Sequence, residues 1–135
     1  MTRLASAVVT PAGPNYLQRI ATRGFQLFAD EPVSAGGSNL GPAPYDLLLA
    51  SLGACTSITL KMYADRKGWD IGALKVSLTL SKDTDGNAII DRTLESDARL
   101  DGGQWLKLLA IAAKTPVSRT LLAGARITTR RAGVA

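Results

Sequence analysis

The chain has 135 residues, 46% of them hydrophobic and 20% charged, the size and make-up of a single globular domain (1–135) able to bury a core. Its net charge of +5 comes from 16 Lys and Arg against 11 Asp and Glu, and aromatic residues make up only 5%. The basic residues are scattered, with Arg126, Arg130 and Arg131 the nearest thing to a patch, so the sequence argues against nucleic-acid binding. There is no histidine, which removes Cys-His and Ser-His nucleophile pairs and histidine-based metal sites. Cys55 is the only cysteine, so no disulfide can form within the chain and a reducing compartment is expected. Met1–Thr10 has no apolar run of signal-peptide length. The longest apolar stretch, Leu47–Leu60, falls short of the roughly 20 residues a bilayer span needs. The expectation is a cytoplasmic protein with no membrane partner, no metal and no cofactor.

In chain order, Arg3–Thr10 predicts a strand, Pro11–Asn15 a turn, and Tyr16–Thr22 a second strand. Arg23-Gly24 turns the chain into Phe25–Asp30, where Phe25, Leu27 and Ala29 alternate. Glu31–Ala43 reads as a loop, with Gly36 and Gly37 expected at positive φ. Pro44 suits the first position of a helix and Asp46 its positive dipole end. This helix should run to Lys67 and stop at Gly68. Because it is apolar on nearly every side, it reads as central and buried. Ala50, Gly53, Ala54 and Ser57 form a stripe of small residues where a second helix could approach closely.

Leu74, Val76, Leu78 and Leu80 alternate with polar residues, Asp83–Asn87 makes a hairpin turn, and Ile89–Leu100 returns. On the returning strand Ile90, Leu94, Ala98 and Leu100 share a face that Arg92 and Ser96 interrupt. Asp101 and Gln104 resemble a capping box. The helix they open puts Trp105, Leu108, Leu109 and Ala112 on one side. Lys114-Thr115-Pro116 breaks it. Thr115 is expected to cap a short helix through its hydroxyl, with Pro116 at the first helical position. That helix ends at Gly124, and Ala125–Arg130 reads as a final strand. The order of elements predicts an α+β fold with segregated parts. A long apolar helix in so small a chain calls for a second subunit.

The run Gly36-Gly37, then Gly41-Pro42-Ala43-Pro44-Tyr45-Asp46 through Ala54-Cys55-Thr56, resembles the OsmC/organic hydroperoxide resistance family. So do Met62-Tyr63-Ala64, Arg66-Lys67-Gly68-Trp69 and Lys114-Thr115-Pro116-Val117-Ser118-Arg119-Thr120-Leu121. The resemblance covers about Phe25 to Thr129. It implies an intertwined homodimer whose central helices are flanked by sheets, with thiol sites at the dimer interface. It also implies reduction of organic hydroperoxides: one cysteine becomes a sulfenic acid and a second condenses with it. Cys55 falls on the first cysteine and Thr115 on the second. Tyr45 stands where the family has a glutamate, with an acid displaced to Asp46. Arg19 and Arg23 are the candidates for the arginine that assists the thiolate. Cys55 lies too far along its helix for the dipole to act on it, so a nearby arginine would have to activate it. Without a second cysteine, an external thiol reductant would have to resolve the sulfenic acid. Two other readings stand beside this one. The dimer could hold a lipid-like or other apolar ligand without catalysis, or it could be catalytically silent and only interact with partners.

Overall fold

The structure, a computed structural model, describes residues 1–133. It has the α+β architecture expected and falls into two compact units, Met1–Ala50 and Ser51–Ala135.

The first unit opens with an antiparallel sheet in the order β1-β2-β3, formed by β1 (Val8–Pro11), β2 (Gln18–Thr22) and β3 (Phe25–Ala29). β1 and β2 are shorter than expected. The Pro14-Asn15 turn, with Asn15 at φ 55° and Ala12 N–H bonded to Leu17 O at 3.0 Å, runs on to Leu17. Arg23 (φ 46°) and Gly24 (φ 81°) form a two-residue turn with two left-handed positions, which suits the twist of a tight hairpin. Of the expected inward face of β3, only Ala29 is buried, and Phe25 and Leu27 are exposed along with Phe28.

The following loop is stapled by the buried carboxylate of Asp30, which accepts backbone N–H groups from Glu31 (2.8 Å), Leu40 (3.1 Å) and Ser38 (3.3 Å). A 3-10 turn at Val33–Ala35 interrupts it, and Gly36 closes that turn at φ 89°. Gly37, contrary to expectation, is not left-handed. Its requirement is space: a Cβ there would lie 2.0 Å from the Glu31 carbonyl oxygen.

Helix α1 (Pro44–Lys67) starts at the expected proline and stops before Gly68 at φ 70°. Its buried residues are Leu52, Thr56, Leu60 and Ala64, one stripe at a spacing of four. The helix is therefore not buried all round, since Ile58 and Met62 are 54% and 59% exposed in this single chain. By length and composition the whole of α1 could cross a bilayer, which Leu47–Leu60 alone could not. Lys61, Asp65, Arg66 and Lys67 crowd its last turns, and its buried stripe is that of a core helix.

In the second unit β4 (Leu74–Lys82) and β5 (Ala88–Ser96) form an antiparallel hairpin. β5 ends at Ser96, short of the expected Leu100. There the Ser96 hydroxyl donates to Ile71 O and accepts Ala98 N–H, while Asp97 takes Ala73 N–H at 2.8 Å and draws the chain away. α2 (Gly102–Ala112) carries the expected capping box, with Gln104 N–H on Asp101 Oδ1 at 2.7 Å and Asp101 N–H on Gln104 Oε1 at 3.0 Å. Leu108 and Ala112 are buried, whereas Leu109, expected beside them, is exposed.

α3 (Pro116–Ala123) follows. Leu60, Ala64, Ile71, Leu108 and Ala112 form the core of this unit, with Tyr63, Trp69 and Trp105 packed on it. The expected last strand, 125–130, is not one: it has no ladder partner among the described residues, and Ile127 is exposed.

Candidate functional site

The registration of β4 on β5 decides what meets α1. Leu78 lies opposite Arg92 on the inward face, and a Cβ on Gly53 would come within 2.9 Å of Leu78 Cδ1. Glycine at 53 therefore lets the hairpin close on the helix. One turn further along α1, the Arg92 side chain reaches Thr56. Its Nη1 donates to Thr56 Oγ1 and to Ser118 Oγ, both at 2.9 Å, and its Nη2 donates to Ala112 O at 2.9 Å. Ala112 is the last residue of α2, so the guanidinium also sits at the negative end of that helix dipole.

The hydroxyls in this cluster have one consistent proton assignment. Thr56 donates to Leu52 O at 2.7 Å, and Ser118 donates to Ala112 O at 3.1 Å. Thr115 Oγ1, 2.6 Å from Ser118 Oγ, must then be the donor of that pair. Ser118 Oγ gives one hydrogen bond and takes two, which leaves it no lone pair for nucleophilic attack. Thr56, Thr115 and Ser118 are all buried, and none of their side-chain atoms lacks a partner.

Thr115 has extended backbone angles (φ −67°, ψ 156°) and stands before Pro116, as an N-cap residue should. Its hydroxyl, however, makes no capping bond and is turned into the Arg92 cluster instead. The capping role expected of that side chain is thus corrected to a bond with Ser118. Position 115 thus carries a hydroxyl whose proton is already engaged.

Cys55 stands one residue before Thr56 of the buried stripe of α1, is partly exposed, and is the free thiol of the chain. Tyr45 is exposed at the start of α1. Asp46 Oδ2 accepts the backbone N–H of Ala43 at 2.9 Å, half of a capping box that ties down the helix start. Arg19 stacks on Phe28, its cross-strand neighbour, with the guanidinium carbon 5.8 Å from the ring centre. Arg23 lies 5.3 Å over Phe25 at the hairpin tip. Tyr45, Asp46, Arg19 and Arg23 belong to the first unit, and Cys55 and Thr115 to the second. Among the described residues no group of three His, Cys, Asp or Glu side chains could hold a metal ion.

Sequence reasoning passed over Arg92, Thr56 and Ser118 as site residues. The one available signal was Arg92 itself, a charge on an otherwise inward-facing strand surface.

Compared with known proteins, residues 36–130 match the family model described as OsmC-like protein. No curated protein matches the chain. Solved structures share the fold. A protein from Psychrobacter arcticus 273-4 superposes with a TM-score of 0.76 at 18% identity, covering 89% of this chain and 90% of that one. An OsmC-like protein from Mycoplasma pneumoniae gives 0.71 at 20% identity, covering 90% and 89%. The organic hydroperoxide resistance protein OhrB of Bacillus subtilis gives 0.59 at 23% identity, covering 87% and 90%.

Proposed function

This chain belongs to the OsmC-like protein family, and on that premise we propose that it is a one-cysteine, thiol-dependent reductase of organic hydroperoxides, acting as a homodimer in stress defence. The observation that carries the reading is the state of the two family thiol positions. Cys55 is a partly exposed thiol, while Thr115 is a buried hydroxyl already bonded to Ser118. The names of its structural relatives, such as the organic hydroperoxide resistance protein of Bacillus subtilis, support the substrate class.

The Cys55 thiolate attacks the terminal oxygen of the hydroperoxide, and the O–O bond breaks. The alkoxide leaves and takes up a proton to become the alcohol, while sulfur is oxidised to a sulfenic acid. An external thiol then condenses with the sulfenic acid, releasing water and forming a mixed disulfide. A second thiol frees Cys55 and departs as the oxidised pair. A reducing cytoplasm would supply that thiol.

The test is the intact mass of the reduced protein after addition of cumene hydroperoxide, with and without a small thiol, beside Cys55→Ser. One added oxygen on the wild type, reversed by the thiol and absent from the variant, is the expected result. An unchanged mass under excess peroxide refutes the reading and favours a binding protein without catalysis.

A further inference from the structure

The second unit holds a pocket of about 470 Å³ that no part of the thiol chemistry uses. Leu52, Ile90, Leu121 and Leu122 make its apolar wall, and Arg92, Ser118 and Asp91 are its polar members. No cysteine lines it. Its size is that of sites for small organic ligands, which join an apolar lining to a few fixed polar groups.

The hydrogen bonds of Arg92 show which part of its side chain is left over. A guanidinium has five N–H groups in a planar fork. Ser118 Oγ and Ala112 O lie 3.1 Å apart and take one hydrogen each from Nη1 and Nη2, as a parallel pair at the end of the fork. The other Nη1 hydrogen goes to Thr56. What remains is the side edge, Nε–H and the second Nη2–H, parallel and without an acceptor among the described residues. That edge matches the two oxygens of a carboxylate. Arg92 also has no carboxylate partner within the chain: among the described residues the ion pair found is Lys61–Asp65. Asp91, the residue before Arg92 on β5, borders the pocket from the exposed face of the strand and does not pair with Arg92.

We propose that this pocket binds an alkyl monocarboxylate, its carboxylate held by the free edge of the Arg92 guanidinium and its chain by Leu52, Ile90, Leu121 and Leu122. The site lies within one chain and does not depend on Cys55. A partly buried guanidinium whose charge is met only by neutral oxygens gains most from an anion, and the apolar wall excludes anions that lack a tail.

Calorimetric titration of the purified protein with octanoate tests this, with octanol and acetate as the two half-ligands. Octanoate should bind saturably at one per chain, with both half-ligands at least about tenfold weaker. Leu122 is exposed at the rim, so Leu122→Asp should fold normally and weaken octanoate about tenfold, while Asp91→Asn should tighten it roughly threefold. Cys55→Ser should bind like the wild type, which separates this result from the fate of the peroxidase reading. The proposal is overturned if octanoate shows no saturable binding, if octanol binds equally well, or if neither charge change alters affinity.

Discussion

Replacing Arg92 by methionine removes the three hydrogen bonds to Thr56, Ser118 and Ala112 and keeps most of the apolar stem. Bonds to a charged donor can be worth more, but here the guanidinium is half-buried and its desolvation takes back part of the gain. About 1 kcal/mol net for each bond is therefore the fitting figure, about 3 kcal/mol in all. The loss goes no higher because the partners keep their own donors employed: Thr56 still donates to Leu52 O and Ser118 to Ala112 O. For a chain of 135 residues this corresponds to a fall in Tm of roughly 10 °C. Urea unfolding at fixed protein concentration reads it through Trp69 and Trp105, both packed on the core of the same unit. Arg92→Lys should recover less than half the loss, since one ammonium cannot repeat the planar fork. A methionine variant within about 0.5 kcal/mol of the wild type would refute the idea that this cluster braces α1, α2 and α3.

Asp30→Asn exchanges a carboxylate that accepts three backbone N–H groups for an amide whose nitrogen cannot accept. It should cost about 2 kcal/mol and speed amide exchange at Ser38 and Leu40 while leaving the second unit protected. Gly37→Ala forces a Cβ onto the Glu31 carbonyl and should cost at least about 3 kcal/mol, read as loss of soluble protein or a lowered Tm. The Asp83 carboxyl titrates below its ordinary 3.8, first because it accepts the Asn87 backbone N–H, with burial opposing and the Asp85 N–H adding to the effect. A lowered folded-state value means that the turn's stabilisation is complete above pH 3.8 and is lost as pH falls through the folded-state value. Amide shifts of Asp85 and Asn87 followed by NMR should report a midpoint under 3.8, and a midpoint at or above it would count against the turn geometry.

Where structure is set within a few residues, the sequence was a good guide. Pro44 and Gly68 bound α1, Asp101 and Gln104 cap α2, and the β4 alternation runs as written, because each depends on backbone groups one turn away. Distance in the chain is what hid the rest. Arg92 meets Thr56 across 36 residues and Ser118 across 26, and no local rule links those positions. The same gap explains Thr115. Its backbone obeys the capping pattern of the Thr-Pro pair, while its side chain answers to a network assembled from α1, β5 and α2. Segment 125–130 failed for a related reason: a strand needs a neighbour, and alternation alone cannot supply one.

The Arg92 cluster bears directly on the chemistry open to the chain. A hydroxyl at 115 could in principle stand in for a missing thiol if its oxygen were free to react. Here Thr115 gives its proton to Ser118, whose own oxygen is saturated by Arg92, Thr115 and the bond to Ala112. Neither hydroxyl can activate a peroxide or trap a sulfenic acid without dismantling a brace that joins three helices to a strand. Under the proposed function, this leaves Cys55 as the group to be oxidised and a thiol from outside the chain as the group to resolve it. It follows that Thr115→Cys alone should not create a working pair: a thiol is a poor substitute donor to Ser118, so the variant should lose stability before it gains a resolving step. If Thr115→Cys instead folded as well as the wild type and formed a disulfide with Cys55 on peroxide treatment, the cluster would be dispensable packing rather than the reason the second position is silent.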